Sequence, residues 1–124
     1  MKIVTDIKEA NTLLKSYIGA MFQIAFYSES LKRIAIRLYL PNVNEVVYLI
    51  GVGCTSIKGR FSFSNANLSI KLTFDKATKE HITQISDEMS GFELITSGGF
   101  SLAKGVESEF GTSFNNFIKH ESSP

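Results

Sequence analysis

A single cysteine, Cys54, stands in the 124-residue chain, so no intrachain disulfide can form and a reducing, cytoplasmic setting is expected. No apolar stretch reaches the length of a membrane-spanning helix, which excludes a helical span. The N-terminus becomes charged and polar by Lys2 and Asp6, without an apolar core segment or a cleavage site, so no leader is expected. Zinc-ligand spacings, a P-loop and a dinucleotide fingerprint are all missing; Gly51-Val52-Gly53 lacks the third glycine and a following helix. The two histidines, His81 and His120, lie far apart. A Cys54–His81 nucleophile pair would need a depressed thiol pKa that nothing nearby provides, and Asp87-Glu88 reads as a solvated pair in a polar turn. The expectation is therefore a non-enzyme with no metal and no cofactor.

What is present is enough for one domain over residues 1–124 with a core that needs no covalent staple. The net charge of +1 hides an asymmetry, because residues 1–75 carry a net +4 and residues 76–124 a net −3. The simplest reading is intramolecular complementarity between a basic first half and an acidic second half.

Residues 45–53, EVVYLIGVG, organise the chain. They are rich in β-branched residues, and both alternating sets are apolar: Val47, Leu49, Gly51 and Gly53 on one side, Val46, Tyr48, Ile50 and Val52 on the other. This predicts a central strand covered on both faces. Before it, Asp6 and Glu9 form a capping box for an amphipathic helix over residues 7–18, ended by Gly19. Alternation then predicts strands at 22–27, 31–40, 45–53, 57–63 and 67–74, joined by turns at 41–44, 54–56 and 64–67.

The turn lengths set a register: Leu38 opposite Val47, Ile36 opposite Leu49, Leu49 opposite Phe61 and Phe61 opposite Ile70. Residues 76–118 add further elements. Residues 81–86 fit either a strand or a helical stripe, 92–96 and 100–103 read as strands, and the apolar spacing from Val106 to Ile118 predicts a terminal helix. Residues 120–124 read as a frayed tail. The expected fold class is α+β and mainly antiparallel, with the N-terminal helix packed on a curved β-meander of five or more strands and a short C-terminal helix. In architecture alone this order resembles cystatin-type and nuclear-transport-factor-like rolls, a likeness that transfers no residue or activity.

Two surfaces follow from the register. The inner face reads Ile34, Gly51, Gly59, Leu72 across mid-sheet, a pair of adjacent glycines that either bends the sheet or floors a pocket. The pocket for an apolar or aromatic ligand would be lined by Phe22, Phe26, Gly51, Gly59, Phe61, Phe63 and Phe74. The outer face gathers Arg33, Arg37, Lys58, Arg60 and Lys71 with Tyr27, Tyr39 and Tyr48, residue types enriched where proteins bind partners. Cations interleaved with aromatics also suit single-stranded nucleic acid. The simplest alternative is that the acidic second half packs over this face. The functional expectation is a non-catalytic binding module holding a protein partner, itself included, through a sheet face or edge. A small apolar ligand and single-stranded nucleic acid are the alternatives, and no membrane is expected as partner.

Overall fold

A computed structural model describes residues 1–110. It is mostly antiparallel β with one N-terminal helix and a short 3-10 turn, arranged as β1 (Lys2–Val4), α1 (Ile7–Lys15), β2 (Ala20–Ser28), β3 (Arg33–Tyr39), β4 (Glu45–Val52), β5 (Cys54–Lys58), β6 (Ser62–Ala66), β7 (Ser69–Asp75), β8 (Glu80–Asp87), β9 (Phe92–Thr96) and β10 (Phe100–Val106), then the 3-10 turn Glu107–Phe110. The strands form two sheets that do not close on each other, a six-stranded one in the order β1-β10-β4-β3-β2-β6 and a four-stranded one in the order β5-β9-β8-β7.

The helix begins where Asp6 accepts the Glu9 N–H at 2.9 Å. It ends at Lys15 rather than at residue 18, because the Ser16 backbone and hydroxyl both donate to the Leu13 carbonyl and the chain tightens into a turn. Ala10 and Leu14 enter the core, and the Tyr17 hydroxyl reaches the Glu45 carbonyl at 2.7 Å. Gly19, in a left-handed conformation, ends the turn and donates to the Ala66 carbonyl.

Strands β2, β3 and β4 pair antiparallel in chain order, with Ile36 opposite Leu49, Leu38 opposite Val47 and Ile34 opposite Gly51. One detail differs. A bulge between Ile24 and Phe26 turns Phe26 to the outer face opposite Ala35 and brings Tyr27 to the inner face opposite Ile34. The central strand is buried on both sides, Val47 and Leu49 facing the other sheet while Val46, Tyr48 and Ile50 belong to a second cluster with Ala35, Ala103 and Phe110.

After β4 the expectation fails. Residues 54–56 make no turn; the chain bends at Gly53, whose φ of +68° suits glycine, and continues as β5 in the second sheet. The β9–β10 connection bends alongside it, with Ser97 N–H donating to the Gly53 carbonyl and Gly98 N–H to the Val52 carbonyl, both at 2.9 Å. Thus β10 takes the place beside β4 that the register above assigned to residues 57–63, and β9 pairs with β5. Residues 57–63 are not one strand. Gly59 breaks them at φ +127°, where a Cβ would come within 2.9 Å of the Phe92 Cα, and β6 then joins the far edge of the first sheet beside β2.

Residues 64–67 are likewise mostly strand, since β6 runs to Ala66; β7 pairs with β8, not with β6. Residues 81–86 lie inside a strand, and β1, unforeseen, pairs with β10 and buries Val4. Two sheets thus replace the single meander and the roll it resembled. Of the expected C-terminal helix, residues 107–110 form the 3-10 turn, and the remainder and the tail lie outside the described residues. No helix among the described residues is long and apolar enough to cross a membrane.

The main core lies between the sheets, where Phe92 of β9 meets Phe22 at a ring separation of 4.7 Å and Phe22 stacks on Phe63 at 4.2 Å. Helix α1 lies along the seam next to β7, the edge strand of the second sheet. Asn11 clamps that edge through its side-chain amide, which donates to the Ile70 carbonyl at 2.7 Å and accepts the Ile70 N–H at 2.8 Å.

Candidate functional site

The structure divides the eight residues of the expected outer face, for the bulge in β2 has taken Tyr27 to the inner side. Arg33, Arg37, Tyr39 and Tyr48 share the face of the first sheet turned away from the core, whereas Lys58 and Lys71 project from the second sheet and Arg60 lies in the β5–β6 connection. Within the first group a compact polar network forms. The Arg37 guanidinium is paired with the Glu107 carboxylate, donates to the Gln23 side-chain oxygen at 3.0 Å and stacks 4.1 Å over the Tyr39 ring. Tyr48 donates to the other Glu107 oxygen at 3.0 Å, and its ring meets Phe110 edge-on.

Tyr48 is only 4% exposed, so it is a core residue and not a surface anchor. Burial, with the Glu107 hydrogen bond and charge, pushes its phenol up to about 12, against an opposing pull from Arg37. The network joins the basic half to the acidic half, and its chemistry is that of an internal clasp.

The pocket residues do not line a common cavity. Gly51 faces the second sheet, but a Cβ there would sit 3.1 Å from side-chain atoms of Ile34, Leu94 and Thr96, so the other sheet fills the space. Gly59 is remote from it in the register, Phe22 is buried in the core with Phe63, Phe61 is 78% exposed, Phe74 is half-exposed, and Phe26 has gone to the opposite face. A cleft of about 140 Å³ opens nearby between Tyr27, Cys54, Ile57 and Leu94. Burial pushes the Cys54 thiol up, which disfavours the thiolate that nucleophilic chemistry needs. β9 stands between Cys54 on β5 and His81 on β8, and His81 packs edge-on against Phe74 instead.

Asp87 is not a solvated turn residue. It is 1% exposed, and its carboxylate accepts the N–H groups of Asn67, Met89 and Ser90 at 2.9, 3.0 and 3.2 Å. It ties the β8–β9 turn to the β6–β7 connection.

The remaining feature is the open edge of the second sheet. Ile70 turns both its backbone groups outward, to Asn11, so the two-residue period of a strand turns those of Leu72 and Phe74 outward as well. Those groups meet no partner among the described residues, because the clamp by α1 acts at Ile70. Their side chains share the core-facing side of the sheet with Ile70, yet Leu72 is 62% and Phe74 49% exposed. Thr83 beside Leu72 is buried, and His81 lies beside Phe74, so the edge presents apolar side chains. Leu72 and Phe74 were assigned to an interior by their alternation. What alternation cannot show is how far the helix reaches, nor that Asn11, on the polar side of the helical stripe, clamps the strand edge.

No family model matches the chain, and no solved structure matches it. An uncharacterized protein of Acanthamoeba polyphaga mimivirus is 35% identical over 91 residues, 73% of this chain and 25% of that protein. The match thus spans about a quarter of the length of the viral relative.

Proposed function

We propose that the chain is a non-catalytic binding module that takes a protein partner by strand addition along β7. The observation that carries this reading is the outward-turned backbone of Leu72 and Phe74 beside exposed apolar side chains. Added strands gain affinity from main-chain hydrogen bonds and selectivity from alternate side chains, and the β7 edge offers both. A small-ligand site draws less support: the apolar cleft beside Cys54 holds only about 140 Å³ against the roughly 300–1,000 Å³ usual for such pockets, and the cleft of about 500 Å³ between Arg60, Phe63, Ser64, Asn65, Met89 and Ser90 is lined mainly by polar residues and includes neither Gly51 nor Gly59. Single-stranded nucleic acid draws less as well, because the cations are split between two sheets and Arg37 is held by Glu107.

The test compares immobilised wild type with Leu72→Asp/Phe74→Asp in lysate of the source, with and without nuclease. Both side chains are exposed, so the variant is expected to keep the wild-type circular dichroism. A protein retained after nuclease and lost from the double variant supports the reading. Unchanged binding by the variant, or recovery of nuclease-sensitive material alone, overturns it.

A further inference from the structure

We propose that the occupant of the β7 edge is a second copy of this chain, paired antiparallel about a two-fold axis through Thr73. This rests on the edge reading above and names its partner. The edge sequence around Thr73 is self-complementary. With Thr73 opposite Thr73 of the second copy, Leu72 falls opposite Phe74 and Lys71 opposite Asp75, each twice by symmetry. Leu72 and Phe74 are the residues whose backbone groups point outward, so they form the hydrogen-bonded pairs that an antiparallel ladder requires.

Lys71, Thr73 and Asp75 then form the non-hydrogen-bonded pairs, where opposing side chains stand closest. Opposite charges meet there. Within its own sheet Asp75 stands opposite Glu80, a like-charged pairing, and one of its oxygens already accepts the Ala77 N–H at 2.9 Å. A lysine from the second copy supplies the countercharge on that face. Lys71 is exposed and makes no ion pair among the described residues, so it is available for that role.

Neighbouring registers fit less well. A slip by one residue sets an outward-turned backbone against an inward-turned one and forms no ladder. A slip by two toward Ile70 brings Phe74 of the second copy onto the edge that Asn11 already occupies. A slip by two the other way sets Lys71 against Ala77 and Asp75 against Thr73, and the charge pairing is lost. The strand also stops in the right place, for β7 ends at Asp75 and the chain turns away over residues 76–79 before reaching the second copy's α1. The product is one continuous eight-stranded sheet made from the four-stranded sheets of both copies.

The experiment is sedimentation of the full chain at low and high concentration, with amide hydrogen exchange read at Leu72 and Phe74 under the same conditions. Ile70, held by Asn11, is the internal reference. Protection at Leu72 and Phe74 that rises with the dimer fraction, while Ile70 stays constant, supports the proposal, and Lys71→Glu should lower both the dimer fraction and the protection. A chain that stays monomeric with fast exchange at both amides overturns the second copy as occupant and leaves the edge open for another protein. Protection in the monomer shows the edge closed within the chain, and both readings fall. A dimer without protection at these amides places the interface elsewhere and overturns the proposal too.

Discussion

Replacing Gly51 with alanine adds one methyl group at the point where the two sheets meet. Gly51 has an ordinary extended backbone, so the exchange is free of backbone strain and should by itself stabilise by about 0.4–1 kcal/mol through the unfolded chain. Against this, the new Cβ lies 3.1 Å from Ile34 Cγ2 on the adjacent strand and 3.1 Å from both Leu94 Cδ2 and Thr96 Cγ2 on the facing sheet. These neighbours are fully or nearly fully buried, and relief in one direction tightens another. Overpacking of this kind costs about 1–3 kcal/mol, so the net expectation is a loss of about 0.5–2 kcal/mol, with a larger loss for Gly51→Val. Urea unfolding with an unchanged m-value measures it, and thermal melting should fall by about 2–8 °C. An alanine variant more stable than wild type would refute the reasoning, because it would show free space where the sheets are described as touching.

Three other perturbations follow from named contacts. Asp87→Ala leaves three N–H groups without their acceptor and should cost about 2–4 kcal/mol in chemical denaturation, whereas Glu88→Ala should be nearly neutral. Asp6→Ala removes the N-cap of α1 and should cost about 1 kcal/mol by the same assay. For Tyr48 the folded phenol titrates near 12 and the unfolded one near 10.0, so its contribution is complete below pH 10 and is lost as the pH climbs toward 12. The loss is at most about 3 kcal/mol, and Tyr48→Phe should flatten that alkaline slope; an unchanged slope would remove Tyr48 as its cause.

The parts of the fold legible in the sequence are those set by neighbours along the chain. Asp6 and Glu9 sit within one helical turn, and the register of β3 against β4 is determined by the short turn at residues 41–44. Alternation assigns a side chain to a face but not to a partner strand. Ile57 and Phe63 alternate as if in one strand, and the break at Gly59 becomes visible only when Phe92, more than thirty residues later, packs against it. The insertion of β10 beside β4 joins residues about fifty positions apart, a pairing that no local pattern encodes.

The candidate site divides in the same way. Arg37, Tyr39 and Tyr48 do share a face, as their parity implies, yet Glu107 closes the network from the far end of the chain. Leu72 and Phe74 do point to the core-facing side, and their exposure depends on α1 meeting β7 at Ile70.

The most direct test of the β7 edge as a self-complementary surface is a disulfide at its two-fold axis. In a Cys54→Ser background, Thr73→Cys places two thiols at a non-hydrogen-bonded pair, with Cα atoms about 4.5 Å apart and within the roughly 4.4–6.8 Å that a disulfide spans. Lys71→Cys in the same background is the control, since its two copies would lie about 14 Å apart along the strands. Oxidation under mild conditions should give a covalent dimer for Thr73→Cys and leave Lys71→Cys monomeric. Equal cross-linking of both variants, or none in either, would contradict the pairing.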